Sequence, residues 1–180
     1  MRRALTTSEL RCTKPTREQF LTQPRRPITV VLDGVIQNYN IGAVFRLCDG
    51  FLVQQLLICG TKLNLHKRRL VQAAQGTQHW VPWRQRQHAA DATAEAKARG
   101  AWVVVAKQTT ASVRPEELVP MFPACLVLGA ERNGVPLLRS RCSAWRTRSM
   151  SRRPLPSCCI GFQRALKTVH KSNDYMSATS

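Results

Sequence analysis

The stretch "ITVVLDGVIQNYNIGAVFRLCDGFLVQQLLICG", residues 28–60, sets two short apolar runs, "ITVVLDGV" (28–35) and "QQLLICG" (54–60), around a segment with helical spacing. Each run is nearly continuous rather than alternating, the pattern of a strand covered on both faces in a parallel sheet. Between them Asn40, a good N-cap residue, predicts a helix over 41–49. Parallel strands need such a crossover, so the unit reads as strand, helix, strand.

Further along, "AWVVVAK" (101–107) and "ACLVLGAE" (124–131) repeat the strand pattern, and "HAADATAEAKAR" (88–99) predicts a helix that stops at Gly100, a suitable C′ residue. Strands alternating with helices give an α/β fold: a parallel sheet with helices on both faces. The intervening "TKLNLHKRRLVQAAQGTQHWVPW" (61–83) reads as a basic loop and helix start, then a short strand near 79–81.

At 180 residues the chain suits one domain with a sizeable core. Its 28 Lys and Arg against 10 Asp and Glu give +18, a balance that points to a polyanion such as RNA, DNA or an anionic surface. The charge is uneven: residues 1–26, 27–136 and 137–180 contribute +5, +5 and +8. No apolar run is long enough for a transmembrane helix, and the basic N-terminus lacks an apolar signal core, so a cytoplasmic protein is expected. Seven cysteines without a CxxC pair predict reduced core thiols rather than disulfides or zinc ligands. The four histidines show no ligand spacing, and no metal is expected.

Two segments go beyond folding. In "NIGAVFR" (40–46), Gly42 and Ala43 permit close approach of a backbone or ligand, and Arg46 lies inside an apolar helix. Alone, such an arginine reads as a snorkelling surface residue. In "LVLGAERNGVP" (126–136), an apolar strand ends at Leu128-Gly129-Ala130, followed by Glu131 and Gly134. Glycines just past a parallel strand build a ligand-holding loop, but this one is neither GxGxxG nor a P-loop.

The ordered pair, with "NIGAVFRLCDGF" about eighty-five residues before "LVLGAERNGVP" and "VVLDGV" just upstream, resembles the SpoU/TrmH family of RNA ribose 2′-O-methyltransferases in the SPOUT superfamily. The resemblance spans roughly residues 27–142, after a basic arm at 1–26. It implies a SPOUT-type sheet with a C-terminal trefoil knot, an S-adenosylmethionine site in the knot loops, and a homodimer whose active site uses both subunits. It implies catalytic roles for Arg46, Asn40 and Glu131, and cofactor contacts from Leu128, Gly129, Ala130 and Gly134. Arginine is a poor base, so Arg46 is expected to orient the ribose hydroxyl or a phosphate and stabilise developing alkoxide charge. Glu131 is expected to order its loop. Lys62, Lys67, Arg68 and Arg69, with the arm, are expected to hold the phosphate backbone of a tRNA or rRNA.

Two positions and one segment depart from the family pattern. Asn38 stands where proline is frequent, and Leu52 follows Phe51 where glycine is common. After Cys142 the family's third motif, an apolar "IPM" strand followed by a Ser-Leu-Asn-Val helix start, gives way to an Arg-, Ser-, Pro- and Cys-rich segment, 143–180. A shifted reading frame produces such a change of character. Two readings stay open: a working methyltransferase, or a catalytically inactive RNA-binding SPOUT-like protein without a complete cofactor pocket. Asp33 is open between a catalytic and a turn role, and Trp80 and Trp83 between base stacking and core packing.

Overall fold

The computed structural model describes residues 6, 17–106, 121–130 and 143–145. After helix α1 (Arg17–Thr22) come β1 (Arg26–Asp33), α2 (Asn38–Gly50), β2 (Val53–Cys59), α3 (Arg68–Ala74) and a 3-10 turn at Thr77–His79. Then follow β3 (Trp83–Arg86), α4 (Ala89–Ala98), β4 (Trp102–Ala106), β5 (Ala124–Gly129) and β6 (Ser143–Trp145). The strands form one six-stranded sheet in the order β3-β2-β1-β5-β4-β6, and every pairing is parallel. The expected α/β class with a parallel sheet is therefore observed. The knot assignment depends on residues outside those described.

The continuous apolar runs are explained by two cores, one on each face of the sheet. On one face Val30, Leu32, Leu56, Ile58, Leu126 and Leu128 meet Ile41, Val44, Phe45 and Cys48 of α2 and Leu70 of α3. On the other, Val31, Leu57, Cys59, Val103, Val105 and Val127 meet Ala89, Ala92 and Ala96 of α4. Successive strand residues feed opposite cores, so neither set can be polar.

Helix α2 starts earlier than the capping signal predicted. Gln37 is its N-cap, with extended backbone and no side-chain cap bond, and the Ile41 N–H bonds to the Gln37 carbonyl at 3.1 Å. Asn40 is therefore not a cap; it lies in the first turn and is 4% exposed. Packing of Ile41, Val44 and Phe45 against the sheet carries the two weak helix formers Asn38 and Asn40 into the helix, where tertiary contacts override propensity.

The expected strand near 79–81 is also corrected. That segment is the 3-10 turn and its exit, with Val81 turned into the core at 3% exposure, and the strand begins at Trp83. Pro82 has no N–H to give, but its carbonyl accepts the Leu56 N–H at 2.9 Å and so starts the pairing one residue later. The two tryptophans pack against aromatic rings: Trp80 edge-on to Phe20 at 5.6 Å, Trp83 edge-on to Phe45 at 6.0 Å. Gly100 takes a φ of 81°, as its C′ role requires. Leu52, where the family favours glycine, also sits in the left-handed region at φ 51°.

The arm joins the body through Arg25. Its guanidinium donates to the carbonyls of Val53 at 3.2 Å and Trp80 at 3.3 Å, and lies 5.5 Å over the Phe20 ring. This arginine of the basic arm is engaged in structure.

Cys48, Cys59 and Cys125 are buried thiols. Burial is the chief cause pushing the Cys48 thiol far up, and Cys59 is pushed up to about 11 by burial first and then by the Asp33 carboxylate, against the pull of Arg86. Thiolate is the reactive form. Iodoacetamide at neutral pH should therefore leave both unlabelled in the native protein and label both in denaturant, as peptide mass spectrometry would show; native labelling at wild-type folding would contradict this packing.

Candidate ligand crevice at the strand ends

Strand order reverses beside β1: the chain runs outward through β2 and β3, then returns on the other side through β4 and β5. Ligands of open parallel sheets bind outside the carboxyl ends at such a switch point. Here those ends are Asp33-Gly34 of β1 and Gly129-Ala130 of β5, with Asp33 and Gly129 register partners and the Ala130 N–H bonded to the Asp33 carbonyl at 3.1 Å. On the far side the Gly34 N–H bonds to the Cys59 carbonyl at 3.0 Å. Gly34 and Gly60 turn away from their strands at φ 65° and 68°, angles that suit glycine.

Of the cofactor residues read from the sequence, Leu128 is buried at 2% and faces α2, while Gly129 and Ala130 are half-buried at the crevice. Among the described residues, Gly129 and Ala130 put nothing larger than a methyl group at that strand end, which leaves room for a ligand to approach their backbone. Glu131 and Gly134 lie outside the described residues. Burial raises the half-buried Asp33 carboxyl from its ordinary value.

A raised folded-state carboxyl pKa means that the folded chain holds the proton more tightly than the unfolded one. Stability then falls as pH rises through the interval above the ordinary carboxylate value, and at neutral pH the ionised Asp33 is a net cost. Asp33→Asn is expected to raise the melting temperature at pH 7, with the gain shrinking towards pH 4; an unchanged or lowered melting temperature would contradict this.

Arg46 and Asn40 both lie on α2, but on different faces. Asn40 is buried, whereas Arg46 is exposed on the side away from the sheet, which it shares with Tyr39. Helix α2 starts beside the crevice, and Arg46 is about 12 Å further along its axis, at 1.5 Å per residue from Asn38. Gly42 faces α3. A Cβ there would lie 2.5 Å from the Leu70 carbonyl oxygen, so its close approach is to a helix.

Lys62, Lys67, Arg68 and Arg69 are all exposed, Lys67 as N-cap of α3. The sequence reading ended this basic group at Arg69. The structure brings Arg84 and Arg86 of β3 to the same edge of the sheet, since Gln85 donates from Nε2 to the Thr61 carbonyl at 2.7 Å, beside Lys62. A groove of about 630 Å³, lined by Pro27, Gln54, Ala96, Arg99 and Phe122 among others, lies at the opposite end of the strands from the glycine-bearing crevice.

This fold defines a doubly wound α/β protein with a crevice at its switch point. The model of the SpoU rRNA methylase family matches residues 27–150, and the chain belongs to that family. It is 32% identical over 131 residues to the 23S rRNA (guanosine-2′-O-)-methyltransferase RlmB of Nitrosomonas europaea, covering 68% of this chain and 46% of that protein. The chain thus spans about half the length of this curated relative. The fold is that of the A. aeolicus TrmH/SpoU tRNA modifying enzyme, at a TM-score of 0.70 and 22% identity over 89% of this chain and 83% of the other. It is also that of an AdoMet-bound rRNA methyltransferase from Sinorhizobium meliloti, at a TM-score of 0.69 and 22% identity over 88% and 60% of the two chains.

Proposed function

We propose that this protein methylates a ribose 2′-hydroxyl of a tRNA or rRNA with S-adenosylmethionine as donor. The observation that carries the reading is the crevice between β1 and β5, ending in Gly129-Ala130, in a chain of the SpoU methylase family. The described residues fit this cofactor: Gly129 and Ala130 leave backbone accessible, Asp33 brings a carboxylate near a site for a cationic sulfonium, and Leu128, buried against α2, fixes the strand end that carries them. When bound, S-adenosylmethionine supplies an electrophilic methyl group. The chain's own part is to align the hydroxyl with it and manage the hydroxyl's charge.

Arg46 is the residue for that part. Its exposed position, about 12 Å along α2 from the crevice end, suits a site completed by a second copy of the chain, in which Arg46 orients the ribose or its phosphate at the partner's crevice and stabilises the developing alkoxide. A neighbour or water takes the proton. Tyr39, 43% exposed on the same side of α2, and Ile36, 73% exposed just before the helix, add apolar surface for a homodimer. Asn40 shapes the helix start and Glu131 orders the loop with Gly134, while Lys62, Lys67, Arg68 and Arg69 hold the RNA backbone. The cytoplasm is the compartment for such a substrate.

Calorimetric titration with S-adenosylmethionine or its demethylated product tests the reading. Saturable heat with one site per chain is the expected result; no heat at millimolar ligand would defeat the enzyme reading and leave the second one, a non-catalytic RNA-binding protein.

A further inference from the structure

We propose that the edge strand β3 is part of the RNA-binding surface, with Arg84 and Arg86 continuing the basic group of Lys62 and Lys67 to Arg69 towards the crevice. This rests on the RNA-methyltransferase reading and extends it to residues that reading leaves out. The span 50–90 holds six Lys and Arg and no Asp or Glu, and it forms one end of the sheet: β2, the following loop, α3 and β3. All six basic residues are exposed.

Their placement has a direction. Trp83 meets Phe45 on the α2 side, so by strand alternation Arg84 and Arg86 project on the other side, where Arg86 reaches Glu95 of α4 at 3.4 Å. The basic residues therefore straddle the sheet edge. At the carboxyl end of the strands, Arg86 is the register partner of Cys59, Cys59 of Asp33, and Asp33 of Gly129. Three strand spacings separate Arg86 from the crevice, about 14 Å. A phosphate backbone lying along β3 would thus approach the crevice past two acidic side chains of α4, Glu95 paired to Arg86 and Asp91 near Cys59, before reaching Asp33.

Charged residues also protect sheet edges from pairing with other strands, a role that does not depend on RNA. Salt-dependent affinity separates the two. Binding of the full chain to bulk transfer RNA is measured between about 50 and 200 mM salt, the range over which counterion release is readable. Arg84→Gln is expected to weaken binding roughly fivefold and lower the salt slope by about one, whatever the RNA sequence. Lys97→Gln, the same charge change in the last turn of α4 towards the other end of the sheet, is expected to alter neither. Glu95→Gln, which releases Arg86, is expected to tighten binding about twofold.

Wild-type affinity and slope in both Arg84→Gln and Arg84→Glu, with Arg68→Gln still weakening binding, would overturn the role of β3 and leave the RNA reading intact. Absence of RNA binding by the wild-type chain would overturn both. Binding of vesicles with anionic lipid, weakened by the same substitutions while RNA binding is not, would assign the surface to membranes and overturn it as well.

Discussion

Arg46→Ala is expected to lower methyl transfer by about three orders of magnitude while leaving affinity for S-adenosylmethionine within a few fold. The size is that of a positioned group acting on developing charge. Arg46 is exposed, so the substitution removes no core contact and the melting temperature should not move. Loss of activity with an unchanged melting temperature and unchanged cofactor titration isolates a chemical role. Arg46→Lys is expected to recover only part of the rate, because an ammonium keeps the charge and loses the planar two-pronged fork. Near-normal methylation by Arg46→Ala would remove it from the mechanism.

The same substitution tests whether two chains share a site. If Arg46 serves the partner's crevice, mixing Arg46→Ala protein with Gly129→Leu protein should give mixed dimers holding one intact site. About a quarter of wild-type activity would return on random exchange. No recovery after demonstrated exchange would place both groups in the same chain's site.

Gly42→Ala is expected to destabilise the protein by about 2 kcal/mol, and Gly42→Leu to prevent cooperative folding. Gly42 is in the middle of a helix, where alanine alone would help by about 1 kcal/mol. Against that, a Cβ would stand 2.5 Å from the Leu70 carbonyl oxygen, 2.8 Å from the Ala73 Cβ and 3.1 Å from the Ala74 N. Two of these are backbone atoms of α3, which cannot rotate away, so the helices must separate. Leu70 and Phe45, both fully buried, would lose packing together. Chemical denaturation measures this, and a variant as stable as wild type would mean that α3 does not approach α2 as closely as described.

Gly42 also illustrates how far the sequence could be read. Its smallness was legible, but whether the close neighbour is a ligand or a helix depends on where α3 folds back, which no local pattern states. The central strands were legible because both faces of each are buried, so the runs at Val30 to Leu32, Leu56 to Cys59 and Leu126 to Leu128 are apolar without interruption. Strand β3 was not, because its residues after Trp83 are polar and exposed and its strand character comes from pairing with β2. Asn40 misled for a related reason. An asparagine before an apolar helical run signals a cap, and burial of its side chain in a first turn is visible only once the sheet is in place. Arg46 was legible as a member of a motif, and its outward direction only from the packed helix.

The strand order has a consequence for the chain as it leaves the ribosome. The half from β1 to β3 joins strands consecutive in sequence, and its contacts can form early. The other neighbour of β1 is β5, whose partners Ala124 to Gly129 are synthesised almost a hundred residues after Ile28 to Asp33. For that interval β1, whose Ile28 and Val30 to Leu32 are buried in the finished sheet, has one side without a partner and is open to pairing with another nascent chain. Until β5 arrives, the protein is expected to need a chaperone's shelter at the same strand that later borders the switch-point crevice.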